Sequence, residues 1–229
     1  MFKKLNNIGD CGVVCDFGDE VNQEINTSVI KLFHHVEKEV LRGNLDGILN
    51  YTPSYNKLII NFDLGKTNSS KIMDFLKSVD FSKLNFSHNR KKWIIPICYD
   101  FEMDLENISK TLKIDKDEIK NIHLNTNFFV YMIGFVPGHP FMGDLDSKLF
   151  LNRLKTPRVK VPSGSVGIVE KFCNIYPYES PGGWNIIGRT PIKLFNKENE
   201  TNPCLLSPGD SVQFKSISKK EFEKLNNEQ

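Results

Sequence analysis

Two arginines, a tryptophan, two tyrosines and three serines lie in or beside one stretch rich in glycine and proline, Val161 to Pro191. Glycine falls at 164, 167, 182, 183 and 188, and proline at 162, 177, 181 and 191. Backbone amides beside glycine can approach a ligand closely. Arg158, Lys160 and Arg189 set cations among them, and a planar guanidinium suits paired contacts to carboxylate or phosphate. With Tyr176 and Trp184 in the same stretch, the cluster reads as a ligand site. Each glycine taken singly reads as a turn. Ser165 sits in Gly-Ser-Val-Gly, which is not the Gly-x-Ser-x-Gly elbow. As a nucleophile it would need a histidine base in space, so Ser163 and Ser165 read as turn hydroxyls.

Outside this stretch, His123 is placed near a helix end. An ordinary imidazole titrates near pH ~6.5, so it is a candidate proton carrier, although a helix-terminal histidine is more often structural. His139 lies in the stiff loop Pro-Gly-His-Pro and is equally open. Asp144 and Asp146 lack a third oxygen ligand at metal spacing and read as solvated loop acids. No phosphate-binding loop, dinucleotide fingerprint or His-Glu-x-x-His occurs. The five cysteines are scattered without Cys-x-x-Cys, the pattern of a reduced, cytoplasmic protein. Basic and acidic side chains number 30 and 28, which argues against nucleic-acid binding. No apolar run reaches the ~20 residues of a membrane span, and the N-terminus lacks a signal-peptide core.

The elements that must position these residues follow from periodicity. Cys11–Phe17 reads as a strand, and Ile25, Val29, Leu32, Phe33, Val36 and Val40 as one face of a helix ended by Gly43. Gly47–Tyr51 and Leu58–Phe62 read as strands, and Asn68–Ser70 caps a second helix. With Trp93–Cys98 as the next strand, the order is that of a split βαβ, ferredoxin-like layer. This predicts an α+β chain: a ferredoxin-like α/β domain over 1–88, a polar linker at Ser87–Lys92, and a second domain over 89–229. There, short helices around Leu105–Leu112 and after Asp115 lead into strand Phe128–Ile133. Val166–Val169, Trp184–Ile187, Ile192–Phe195 and Val212–Ile217 follow as strands of a rolled sheet. Lys219–Gln229 reads as a polar, frayed helical tail.

Several motifs then occur in order: Gly134-Phe135-x-Pro137-Gly138-x-Pro140, Pro157-Arg158, Val161-Pro162-x-Gly164-Ser165-Val166-Gly167-Ile168, Ile175-Tyr176-Pro177, Ser180-Pro181-Gly182-Gly183-Trp184, Ile187-Gly188-Arg189-Thr190-Pro191 and Leu206-x-Pro208-Gly209-Asp210. They resemble the family of the 5-oxoprolinase B subunit, also called allophanate hydrolase subunit 1, which includes sporulation histidine-kinase inhibitors. The motifs are dense over 123–217, and Gly9-Asp10 extends the resemblance over nearly the whole chain. It implies a cyclophilin-like β-barrel as the second domain. It also implies a protein that pairs with the C subunit of 5-oxoprolinase. Together with the A subunit, the pair would carry out ATP-dependent opening of 5-oxoproline to glutamate. ATP would sit in a site shared with the partner, with Mg²⁺. The alternative it implies is a regulatory protein that binds a histidine kinase.

Carried over position by position, the resemblance implies catalytic roles for His123, Arg158 and Arg189. It implies substrate contacts from Tyr131, Pro137, Gly138, Ser163, Gly164, Ser165, Tyr176, Gly182, Gly183 and Trp184, with backbone donors at Gly164, Gly182 and Gly183. Two departures stand out. His139 occupies a position where the family usually has phenylalanine, and Phe172-Cys173-Asn174 replaces the usual Gln-Thr-Gly.

Overall fold

A computed structural model describes residues 2–84 and 90–228. The chain divides into two compact units, Met1–Asn89 and Arg90–Gln229. Of the expected linker, residues 87–89 lie outside the described residues. Among the described residues no helix is long and apolar enough to cross a membrane.

The first unit holds β1 (Lys4–Asn7), β2 (Gly12–Asp16), α1 (Gln23–Leu41), β3 (Ile48–Pro53), β4 (Lys57–Phe62) and α2 (Ser69–Ser78). The four strands form an antiparallel sheet in the order β1-β2-β4-β3. Along β4 the side chains alternate, so Leu58, Ile60 and Phe62 are buried. They pack with Val29, Leu32 and Val36 of α1 and Ile72 and Leu76 of α2. Each such side chain contributes about 1.5–3 kcal/mol by leaving water. Asn22 and Asn68 cap the two helices by accepting from Ile25 N and Lys71 N.

One strand assignment needs correction. Trp93–Cys98 does not close this sheet: the strand there, β5 (Lys92–Ile97), pairs in parallel with a strand of the second unit. The edge beside β2 is taken by β1 instead, through Lys4↔Asp16 to Asn7↔Val13. That segment carries no apolar alternation, so periodicity could not find it. A short polar strand is the usual character of a sheet edge.

The second unit continues with α3 (Leu105–Leu112), α4 (Lys116–Asn125), β6 (Phe128–Ile133), β7 (Pro140–Gly143), β8 (Arg158–Val161), β9 (Ser165–Val169), β10 (Phe172–Ile175), β11 (Ser180–Gly182), β12 (Asn185–Arg189), β13 (Ser211–Ser216) and α5 (Lys219–Asn227). Seven strands form one sheet in the order β12-β9-β10-β7-β6-β13-β5, and β8 pairs with β11 separately. The two edges of the large sheet meet at Cys98 and Arg189. Cys98 N donates to Arg189 O at 2.8 Å, and Arg189 N to Cys98 O at 2.9 Å. This seam makes the sheet a nearly closed barrel. Gly188 sits at a register shift there; a Cβ on it would lie 2.9 Å from Cys98 O. Ile95, Ile97, Val130, Val166, Ile168, Ile175, Ile187, Val212 and Phe214 belong to its core.

Two further expectations change. Ile192–Phe195 is not a strand; it makes a single bridge, Phe195↔Cys204, after Pro191. The C-terminal segment is not frayed over 219–227. Ser218 and Glu221 form a capping box, and Phe222 buries its ring edge-on to Phe101 at 4.9 Å.

Candidate functional site

The cavity of interest lies in the second unit, has a volume of about 260 Å³, and is walled by Phe135, His139, Phe141, Arg153, Pro157, Asn174, Tyr176 and the Pro181–Trp184 segment. Its sides are flat rings. His139 stacks on Phe141 at 4.8 Å and 8°, Tyr176 tilts against His139 at 5.3 Å, and Trp184 meets Phe141 edge-on at 6.1 Å. β7, β10 and the β11–β12 connection bring these rings together, because β10 pairs with β7 through Cys173↔Met142 and Asn174↔Phe141. Phe135 stands at the rim, exposed, with φ +70. A bulky residue held in the left-handed region is strained, and such strain collects at functional sites.

Polar groups lie within this wall. Asn174 Nδ2 is 3.0 Å from His139 Nε2, and both residues are buried. An amide donor facing Nε2 puts the imidazole proton on Nδ1. Burial lowers the pKa of His139 to about 4, so the ring is neutral near pH 7. His139 Nδ1 and Asn174 Oδ1 are both buried without a hydrogen-bond partner. Tyr176 is buried too, which pushes its hydroxyl pKa up; hydrogen bonds from Asn174 and the Trp184 amide, and the charges of Arg153 and Arg158, pull against that. A Cβ on Gly182 would lie 2.4 Å from the Tyr176 hydroxyl oxygen, whereas at Gly183 it would meet only Pro157, at 3.6 Å. Gly182 is therefore needed for close packing, and Gly183 is free to face a guest.

Four of the sequence-derived residues thus meet at the cavity: Tyr176, Gly182, Gly183 and Trp184. The others lie elsewhere. Arg158 pairs with Asp104, a carboxylate only 3% exposed whose other oxygen accepts from Ile186 N at 2.7 Å. This staple holds β8 against β12 beside the cavity wall. Arg189 donates to Ser163 O at 3.1 Å and lies over the rings of Phe101 (4.8 Å) and Phe222 (5.4 Å). Its guanidinium braces α5 against the barrel seam; burial lowers its pKa.

His123 is fully buried in the barrel core. Its Nδ1 lies 2.8 Å from the Tyr99 hydroxyl, and its Nε2 lies 3.8 Å from Cys173 Sγ. Burial drops its pKa to about 3, so as placed it is a neutral core imidazole with no exposed surface. Gly164 has φ +78 and gives its N–H to Tyr176 O at 2.7 Å, leaving none for a ligand. Ser163 donates to Pro177 O, Ser165 is buried in β9, and Tyr131 donates to Asp144 Oδ1. Gly138, at φ +74, packs against Phe195, and Pro137 is exposed in the same loop.

Sequence reasoning missed Arg153 and underweighted His139, Phe141 and Asn174 as one group. Arg153 falls outside the glycine-rich motifs, so no pattern pointed to it. The departure at His139 and Asn174 was visible, but their contact was not.

The chain matches the model of the carboxyltransferase domain, subdomain C and D, over residues 3–206. It is 32% identical over 232 residues to the B subunit of 5-oxoprolinase from Bacillus subtilis (strain 168), covering 96% of this chain and 95% of that protein. It is 38% identical over 170 residues to the B subunit of 5-oxoprolinase from Haemophilus influenzae, covering 68% and 78%. Among solved structures, TTHA0988 superposes with TM-score 0.79 at 30% identity, over 91% of this chain; the match spans only 40% of TTHA0988.

Proposed function

The chain belongs to the family of 5-oxoprolinase B subunits, and from that premise we propose that it is the B subunit of an ATP-dependent 5-oxoprolinase, supplying half of the site that opens 5-oxoproline to glutamate. The observation that carries this reading is the aromatic cavity with its free glycine wall at Gly183 and a strained, exposed Phe135 at its mouth. A flat lactam ring fits between flat side chains, and an exposed aromatic at the rim is what a partner protein would cover. We propose the A and C subunits of 5-oxoprolinase as those partners. Tyr176, Gly183 and Trp184 would hold the ring, Gly182 would let Tyr176 sit close, and the Arg158–Asp104 staple would position the wall. His123, Arg189 and the Gly164 loop would support the barrel.

The cavity residues do not fit a nucleoside triphosphate. One guanidinium, Arg153, faces several phosphate charges, and among the described residues no three acidic, histidine or cysteine side chains come together to hold a metal. In this proposal ATP and its Mg²⁺ are held mainly by the partners, and this chain binds and orients the lactam.

The experiment is reconstitution. The purified chain alone should give no 5-oxoproline-dependent ATP hydrolysis, and activity should appear on adding the A and C subunits. Full activity from this chain alone would refute the half-site.

A further inference from the structure

We propose that Arg153 is the carboxylate anchor of the cavity, so that the site selects a small ring carrying an acid group over the same ring without one. The inference rests on the 5-oxoprolinase reading and deepens it.

Among the described residues Arg153 is the one charged side chain on the cavity wall, and no acidic side chain lines it. It is exposed, and among the described residues it makes no hydrogen bond or ion pair. Its charge acts on the Tyr176 hydroxyl across the cavity edge. The neighbouring cation, Arg158, is paired through Nη2 with Asp104 and does not line the cavity. One guanidinium fork is therefore available, and its planar geometry matches a carboxylate through two parallel N–H···O contacts.

The rest of the wall limits what carries that carboxylate. The stacked His139–Phe141 pair, Trp184 and Tyr176 present flat faces. A cavity of about 260 Å³ lies just below the ~300–1,000 Å³ of drug-sized ligand sites. A nucleotide is too large and too highly charged for it. A small, planar ring acid fits, with the ring between aromatic faces and the acid turned outward to Arg153. His139 and Asn174 make this wall polar without adding charge.

The test is calorimetric titration of the full chain with 5-oxoproline and with 2-pyrrolidinone, the same lactam without its carboxylate. Wild type and Arg153→Gln are compared, with Arg153→Lys as the charge-preserving variant. Among the described residues Arg153 has no hydrogen-bond or ion-pair partner, so both variants should melt as wild type does. The expected result is saturable 5-oxoproline binding weakened at least 10-fold in Arg153→Gln, with Arg153→Lys in between and 2-pyrrolidinone unaffected. Equal 5-oxoproline affinity in wild type and Arg153→Gln would overturn the anchor. So would an equal loss for both ligands, or no saturable binding to wild type. The broader reading fails separately. If the wild-type assembly does not couple 5-oxoproline to ATP hydrolysis while the chain still binds ring acids through Arg153, the anchor stands and the 5-oxoprolinase assignment falls.

Discussion

His139 and Asn174, the two cavity positions that depart from the pattern the family resemblance implies, contact each other: Asn174 Nδ2 lies 3.0 Å from His139 Nε2. The imidazole keeps the flat, stacking shape that phenylalanine would supply, at 8° to Phe141. It adds an acceptor, and Asn174 supplies the donor for it. The two replacements therefore form one paired change, donor matched to acceptor.

Their coupling can be measured. His139→Phe alone takes away the Nε2 acceptor of the Asn174 amide, leaving it the Tyr176 hydroxyl, and should cost about 1–3 kcal/mol of stability. The double variant His139→Phe/Asn174→Gly removes both partners, so its loss should fall short of the sum of the singles by about 0.5–3 kcal/mol. Urea unfolding of the four proteins gives the cycle, and additive losses would contradict the pairing.

Acid should destabilise the barrel through two imidazoles. Unfolded histidines protonate near pH ~6.5, whereas His139 and His123 stay neutral in the fold down to about 4 and about 3. Between those values the unfolded chain binds more protons, so stability rises with pH. The contribution is fully present above pH ~6.5 and is lost as pH falls toward the folded values. Melting curves should shift down by several degrees from pH 7 to pH 4.5. Imidazole NMR signals of either residue titrating near pH 6.5 would contradict the burial argument.

Arg189 is expected to act on stability. Arg189→Ala removes its contacts with Phe101 and Phe222 and the bond to Ser163 O. Such cation–π contacts are worth ~0.5–2 kcal/mol each, so a loss of about 1–3 kcal/mol is predicted. Hydrogen exchange of α5 should accelerate. Unchanged exchange together with a collapse of turnover would move Arg189 into the reacting site.

Gly164 should tolerate no side chain. A Cβ would lie 2.1 Å from Thr190 O, at a φ of +78. Gly164→Ala is predicted to destabilise by more than ~2 kcal/mol, because strained φ and steric overlap add. A melting temperature within a degree or two of wild type would show that the loop can shift.

Much of this was legible in the sequence. The helices α1 to α4, with a cap such as Asn68, follow from apolar spacing and cap residues, because both signals are local. Strand β1 was not, since an edge strand of sequence Lys-Leu-Asn-Asn needs only a neighbour to pair with. The seam between Cys98 and Arg189 joins residues far apart in the chain, and no periodicity encodes it. The same limit governs the site. Glycines read as amide donors turn out, at Gly164 and Gly182, to be places where Thr190 O and the Tyr176 ring come too close for a Cβ. Arg158 and Arg189 were recognisable as useful cations, but the partners that occupy them, Asp104 and the Phe101–Phe222 pair, could be seen only in three dimensions.

The central claim is that the cavity beside Gly183 holds the lactam during turnover. Gly183 does not have a left-handed φ and has room for a Cβ, with Pro157 at 3.6 Å as its nearest contact. Gly183→Leu should therefore fold normally yet fill the cavity. The direct measurement is kcat/KM for 5-oxoproline-dependent ATP hydrolysis by this variant assembled with the A and C subunits, with its melting curve alongside. The predicted result is a loss of at least ~100-fold, about 2.7 kcal/mol of transition-state stabilisation, at near wild-type stability. Wild-type turnover by Gly183→Leu would contradict the assignment of this cavity as the site.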